Sequence, residues 1–150
     1  GYSYVVSGPT HQCYEDITLM RSLPNMGVYS ISDEVLARSM PRLAVESVGP
    51  KYFRLDAQVL PIIYEGDIES VTDGFHYHTR GGSICLLATG YMVHTAIRVR
   101  DELIKRGLEV GVIDIFNLST FNERRLKMVL SGYEAVVTME EGFPGRGGLR

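Results

Sequence analysis

The stretch Ile84-Cys85-Leu86-Leu87-Ala88, with Thr89-Gly90 after it, decides the fold class of this chain. A continuous apolar run of this length is typical of a strand buried on both faces, as in a parallel sheet. Residues 92–106 predict an amphipathic helix that ends at Gly107, with these apolar residues inward: Val93, Ala96, Ile97 and Ile104. A strand at 110–116, a helix at 122–130 and a strand at 135–139 follow. This β-α-β-α-β order predicts a parallel sheet.

The upstream part of the chain repeats the alternation of strand and helix. Residues 11–23 have helical apolar spacing, with Thr10 as the predicted N-cap and Pro24 as the stop. A strand at 26–31 precedes a helix that Ser32 caps and Pro41 kinks or splits, and a strand at 51–55 follows. The predicted fold class is therefore α/β, with two parallel-sheet units joined by a linker.

Glycine, proline and aspartate residues typical of turns recur through residues 59–82 and indicate the boundary between the two units. We expect a first unit at 1–61, a linker at 62–80 with a short strand around 75–78, and a second, truncated unit at 81–150. The chain begins at Gly1 without methionine, and residues 144–150 read as a loop that leads onward. We expect this sequence to be a piece of a longer protein or a subunit.

Charge and composition exclude two classes of function. The net charge of the 150 residues is −3, and the 15 basic residues are scattered along the sequence. The sequence therefore predicts no basic patch of the kind that binds nucleic acid. No segment approaches 18 consecutive apolar residues, so we expect no membrane span. Cys13 and Cys85 have no CxxC spacing and are predicted to be reduced, packed thiols in a cytoplasmic protein.

The motif Gly8-Pro9-Thr10-His11-Gln12 carries the chemistry. It places an imidazole on a stiff Gly-Pro turn ahead of a helix, where a histidine can face a cleft and move a proton. The alternative is that His11 only caps the helix that follows it.

Several stretches resemble transketolase-like thiamine-diphosphate enzymes. In the first unit these are residues 8–12, 15–17, 20–26, 32–34 and 49–55. In the second unit, residues 87–90, 112–114, 137–141 and 147–149 resemble the transketolase C-terminal domain. The resemblance implies that 1–61 is part of a pyrimidine-binding domain and 81–150 most of a transketolase C-terminal domain.

The resemblance implies an enzyme that transfers a two-carbon ketol unit between sugars or sugar phosphates, with thiamine diphosphate and Mg²⁺ bound between subunits. The diphosphate-binding part, the metal site and the activating glutamate are not in this sequence. The expected partner is a diphosphate-binding domain or subunit, in a homodimer or a two-component heteromer, and this chain alone is predicted to be inactive. Two alternatives stay open: a 1-deoxyxylulose-phosphate-synthase-like carboligase, and a non-catalytic partner module.

The same resemblance assigns the site residues. His11 matches the catalytic histidine, and Ser7 and Gln12 are expected to contact substrate; no cofactor or metal ligand is assigned. Many members have Asp at the position of Ser7 and a phosphate-binding Arg at the position of Ala57. Arg54, three residues before Ala57, faces the other side of its strand and is a poor substitute. These departures favour an unphosphorylated acceptor. Two alternatives stay open: the match of this stretch to the family motif is shifted along the sequence, or another basic residue contacts the phosphate.

The remaining polar groups are given structural roles. His76 and His78 share a strand face but lack a third metal ligand, which favours a solvated linker strand. His94 is expected to be packed or exposed without a role. Glu140-Glu141 is assigned a dimer-contact or capping role, and residues 142–148 a turn into a helix.

Overall fold

The computed structural model describes residues 1–3, 5–66, 68, 71–142 and 149. Within them the chain forms two α/β units, which confirms the predicted fold class. The elements in chain order are a 3-10 segment at Val5–Thr10, α1 at Asp16–Arg21, β1 at Gly27–Ser30, α2 at Glu34–Glu46, β2 at Lys51–Arg54, a 3-10 turn at Val71–Asp73, β3 at Phe75–Thr79, β4 at Ile84–Ala88, α3 at Tyr91–Ile104, β5 at Val110–Ile115, α4 at Glu123–Leu130 and β6 at Ala135–Met139.

The first unit is a two-stranded sheet in which β1 and β2 run parallel, with α1 packed against β1. Helix α2 begins after Asp33, whose carboxylate accepts the Leu36 amide at 2.9 Å. The prediction that Ser32 caps this helix is wrong by one residue, because the Ser32 hydroxyl donates to another carboxylate. Helix α2 also runs through Pro41 to Glu46, so the predicted split does not occur.

Helix α1 begins later than the sequence predicts. The expected helix at 11–23 is reduced to Asp16–Arg21, and the preceding residues form a 3-10 segment broken at Gly8. Thr10 is not the N-cap, because its hydroxyl donates to the Ser7 carbonyl at 3.2 Å. A tight turn therefore replaces the first turns of the predicted helix.

The second unit is a four-stranded sheet with the order β3-β5-β4-β6. Strands β5, β4 and β6 are parallel, as predicted, and their bounds lie close to the expected ones. Strand β3 lies inside the range predicted as linker and pairs antiparallel with β5. The predicted domain boundaries stay a prediction. The expected turn at 142–148 lies, apart from Gly142, outside the described residues.

Backbone hydrogen bonds join the two sheets. The amide of Ser30, at the end of β1, donates to the Phe116 carbonyl at 2.8 Å, and the Leu118 amide donates to the Val28 carbonyl at 2.8 Å. The apolar core also crosses between the units, since Ile17 of the first unit packs in one cluster with residues of β4 and β5. The units are therefore parts of one packed body.

The core supplies a matched test of the packing. Ile113 in β5 is fully buried, whereas Ile104, in the last turn of α3, is 50% exposed, so its predicted inward position is wrong. Ile113→Val is expected to lower the free energy of unfolding by about 0.5–1.5 kcal/mol, because it removes one buried methyl group. Ile104→Val is expected to change it by less than about 0.5 kcal/mol. Urea denaturation measures both, and equal losses would contradict the two assignments.

The two cysteines differ in burial. Cys85 in β4 is fully buried, and burial raises the pKa of its thiol to about 11. Cys13 is exposed, so the prediction of a packed thiol is wrong there. The reason is the late start of α1, which leaves Cys13 in the irregular segment before the helix.

Candidate active site

Gly8 forms the turn that carries the predicted catalytic residue, His11. The φ angle of Gly8 is 64°, in the left-handed region that favours glycine. Its carbonyl accepts the amides of His11 and Gln12, at 3.1 and 3.2 Å. Backbone bonds thus close the turn, and His11 lies exposed at its end.

Thr10 orients the imidazole of His11. The Thr10 hydroxyl oxygen lies 2.8 Å from Nδ1 of His11. The same hydroxyl donates to the Ser7 carbonyl at 3.2 Å, and the donor in its contact with Nδ1 depends on the tautomer of the ring. The contact fixes the orientation of the imidazole relative to the turn.

The three predicted site residues, Ser7, His11 and Gln12, lie on this one turn. Ser7 is half-buried, and its carbonyl is part of the Thr10 contact. The side-chain oxygen of Gln12 accepts from the Tyr14 hydroxyl, and the Tyr14 ring lies 4.5 Å from the ring of Tyr2. Gln12 is therefore oriented by a neighbouring aromatic pair. The substrate-contact roles of Ser7 and Gln12 stay predictions.

A buried ionic cluster lies directly after this turn, and sequence reasoning missed it. Arg54, the last residue of β2, binds the Asp16 carboxylate through Nε at 3.0 Å and that of Glu141 through Nη1 at 3.3 Å. Tyr52 donates to the same Asp16 oxygen at 3.0 Å. The side chains are only 13% exposed at Arg54 and 8% exposed at Asp16 and Glu141. The cluster joins α1, β2 and the end of β6.

One sequence signal could have identified this cluster. Tyr52 and Arg54 lie two residues apart on a strand and so share a face. A cation on a half-buried strand needs a carboxylate partner where its side chain points inward, because an unpaired buried charge is costly. Burial and the nearby Asp16 carboxylate raise the pKa of Tyr52 to about 12, so its hydroxyl stays a donor. Within this chain, Glu141 binds Arg54, a contact that its predicted dimer or capping role does not include.

Ala57 lies exposed in the loop after β2. Its neighbour Asp56 accepts the Gln58 amide at 2.9 Å. Asp56 and Gln58 flank a cavity of about 270 Å³ whose lining includes Asp33 and Glu34. The lining residues of this cavity, all in the described part of the chain, include no Lys or Arg. The cavity beside Ala57 therefore combines apolar side chains with three carboxylates, and its lining offers a phosphate group no cation.

His76 and His78 form an aromatic cluster with Tyr64. The two imidazole centroids are 5.1 Å apart, and each lies 4.7 Å from the Tyr64 ring. Burial, with the neighbouring His76, lowers the pKa of His78 to about 4, so it is neutral near pH 7. The predicted solvated linker strand is wrong, because both rings are packed and β3 belongs to the second sheet. Across residues 1–3, 5–66, 68, 71–142 and 149, no three His, Cys, Asp or Glu side chains form a candidate metal site.

A second buried polar contact joins the units at Asp114, near the end of β5. Its Oδ2 accepts from the Ser32 hydroxyl at 2.5 Å and the Tyr64 hydroxyl at 2.7 Å, while Oδ1 is buried without a hydrogen-bond partner in the structure. Burial raises the pKa of Asp114 to about 7, against the two hydrogen bonds that favour its ionised form. His94 is packed here too, with Nε2 2.7 Å from the Ser32 carbonyl.

The fold and the site together define a class. They describe an α/β protein in which Arg54, at the carboxyl end of β2, and Glu141, after β6, lie beside a turn that carries an exposed histidine. In the described part of the chain, no helix has the length and apolar character needed to span a bilayer.

The chain belongs to the transketolase C-terminal domain family, because residues 75–149 match the family described as "Transketolase, C-terminal domain". It is 30% identical over 141 residues to a subunit of the apulose-4-phosphate transketolase of Actinobacillus succinogenes. It is 29% identical over 137 residues to the 1-deoxy-D-xylulose-5-phosphate synthase of Aquifex aeolicus. A structure titled "Split gene transketolase, inactive beta4 tetramer" superposes with a TM-score of 0.85 at 31% identity. The resemblance stated from the motifs is confirmed.

The chain spans only part of each of these proteins. The match covers 94% of this chain but 45% of the apulose-4-phosphate transketolase subunit, and 89% of this chain but 22% of the synthase. For the split transketolase structure the shares are 93% of this chain and 47% of the other. The relatives are transketolase-family enzymes, and this chain corresponds to a section of each.

Proposed function

We propose that this chain is the C-terminal portion, or the second subunit, of a thiamine-diphosphate-dependent transketolase that transfers a two-carbon ketol unit between sugars. The observation that carries the proposal is His11, held by the Gly8 turn with Nδ1 against Thr10, in a chain of this family. The similarity to a split transketolase over 93% of this chain supports the second of these options, a separate subunit. We place the enzyme in the cytoplasm, as the sequence predicts.

Thiamine diphosphate and Mg²⁺ would be held mainly by a diphosphate-binding domain or subunit, in a homodimer or a two-component heteromer. The cofactor supplies the chemistry that breaks the carbon–carbon bond. The proposed part of this chain is proton transfer: the imidazole of His11 accepts or returns a proton at a substrate oxygen, where charge develops. Ser7 and Gln12 would orient the substrate hydroxyls by hydrogen bonds.

The acceptor is proposed to be unphosphorylated. Ala57 stands where many members have a phosphate-binding arginine, and the cavity beside it is lined by apolar side chains and three carboxylates, with no Lys or Arg among these described residues. Arg54 does not replace that arginine as a phosphate ligand, because the carboxylates of Asp16 and Glu141 already bind it. The related synthase activity is the second candidate, favoured by the similarity to the Aquifex aeolicus enzyme. Its acceptor is phosphorylated, which fits the surroundings of Ala57 less well.

Reconstitution tests the function. The chain is purified alone and together with a protein that supplies the diphosphate-binding half, and ketol transfer is assayed with thiamine diphosphate and Mg²⁺. We expect no activity and no cofactor binding by calorimetry for the chain alone, and activity for the complex. Activity of the partner without this chain would contradict the proposal and favour a non-catalytic module. A preference of about a hundredfold or more for phosphorylated over unphosphorylated acceptors would contradict the argument from Ala57.

A further inference from the structure

Residues 11–15 connect the Gly8 turn to α1 without regular secondary structure. Helix α1 begins only at Asp16, and its N-cap Glu15 makes no capping hydrogen bond through its side chain. Local backbone regularity therefore does not fix the path from His11 to the helix. Contacts from elsewhere in the fold have to hold this segment.

Arg54 makes three contacts at once, two of them to Cys13 and Asp16 at the end of this segment. Its Nε binds Asp16 at 3.0 Å, its Nη2 donates to the Cys13 carbonyl at 3.3 Å, and its Nη1 binds Glu141 at 3.3 Å. A guanidinium can serve three acceptors because its donors point outward in a rigid plane. The side chain is 13% exposed, so these contacts are largely shielded from water and salt.

The cluster also extends to the second unit. Glu141 follows β6, and its other carboxylate oxygen accepts the Tyr2 amide at 3.1 Å. Asp16 depends on Arg54 and Tyr52, since its Oδ1 is buried without a hydrogen-bond partner in the structure. The segments on both sides of His11, at residue 2 and at 13–16, are thus tied to Arg54 and Glu141.

We propose that Arg54 and Glu141 are positioning residues that fix the His11 segment against the second unit, and so set the alignment of His11 with the substrate. The catalytic part of this inference rests on the proposed function. The structural part does not, because the contacts exist within this chain. The second unit would then contribute to the active site by holding His11 in place.

Glu141→Gln is the first test, because it keeps an acceptor while removing the charge that Arg54 binds. Arg54→Lys is the second, since a single ammonium group cannot serve all three acceptors. Arg42→Lys is the matched control: Arg42 forms an exposed ion pair with Glu46, at 83% and 61% exposure. Each variant is examined by hydrogen exchange in the chain alone and by steady-state kinetics in the reconstituted enzyme.

We expect exchange in residues 8–22 to rise about tenfold in Glu141→Gln and Arg54→Lys, with α3 unchanged, because only the local constraint is lost. In the enzyme, kcat is expected to fall about tenfold or more with a small change in KM, because misalignment of a catalytic group affects the reaction step. The Arg42→Lys variant should match the wild type in both measurements.

The outcomes separate the two claims. Faster exchange with unchanged kcat would overturn the catalytic part and leave the structural part standing. If hydrogen exchange rose equally in residues 8–22 and in α3, or rose in neither, both the structural and the catalytic part would be overturned. If the wild-type enzyme shows no ketol transfer, the proposed function fails, while the exchange measurements still decide whether Arg54 and Glu141 fix the segment.

Discussion

Replacing His11 with alanine is expected to lower ketol transfer by the reconstituted enzyme about 10²- to 10⁴-fold, the range for loss of a general acid–base group. The physical reason is that no imidazole would then take up or return a proton at the substrate oxygen. The loss should appear mainly in kcat, because in the proposed function Ser7, Gln12 and the partner would also bind the substrate. Steady-state kinetics with a ketose donor and an aldose acceptor measure it.

One control variant and one stability measurement make this experiment specific. Gln12→Ala removes a hydrogen-bonding side chain from the same turn and is expected to cost about tenfold, as one hydrogen bond would. His11→Ala should change the free energy of unfolding by less than about 0.5 kcal/mol, since His11 is exposed. If His11→Ala retained wild-type turnover in an enzyme that contains thiamine diphosphate, the assignment of His11 would be wrong.

Replacing Asp114 with asparagine is expected to remove a pH-dependent part of the stability. The folded-state pKa of Asp114 is raised by burial to about 7 from an ordinary value of 3.8. Between these values the folded chain holds a proton that the unfolded chain has lost. The contribution of Asp114 is therefore complete below about pH 4 and is lost as the pH rises to 7. Over that window the change is about 4 kcal/mol.

The measurement is the difference between wild type and Asp114→Asn in urea denaturation at several pH values. The difference isolates Asp114 from other groups, such as His78, whose lowered pKa acts in the opposite direction. Asp33, a like charge, adds to the raised pKa of Asp114. Asp101→Asn is the control, because Asp101 is 51% exposed. A difference that does not change with pH would show that Asp114 is ionised throughout the window.

The parallel strands of the second sheet were predictable because each one coincides with a short, mainly apolar run in the sequence. The apolar run at β4 and the run at β6 each specify a strand without information from other parts of the chain. The start of α1 was not predictable in this way, because the positive φ of Gly8 and the contact between Thr10 and Ser7 replace the expected helical turns. Helical spacing of apolar residues is compatible with either structure.

The candidate site was predictable only in part. The turn and His11 are contiguous in sequence, so the motif places them together. The partners of Arg54 and Ser32 are distant: 87 residues separate Arg54 from Glu141, and 82 separate Ser32 from Asp114. Such contacts depend on how the two sheets are joined, and no spacing in one sequence specifies that. The sequence therefore places His11 on its turn but does not specify the contacts that hold the turn in position.

The backbone bonds between β1 and the segment after β5 have a consequence for building chimeras with relatives. An exchange of the second unit at the predicted linker would move Phe116 and Leu118 but leave behind Ser30 and Val28, to which they bond. It would also separate Arg54 from Glu141 and Ser32 from Asp114. Hybrids that take both partners of each of these contacts from the same parent are the ones expected to fold, because a crossover in the linker divides a single packed body.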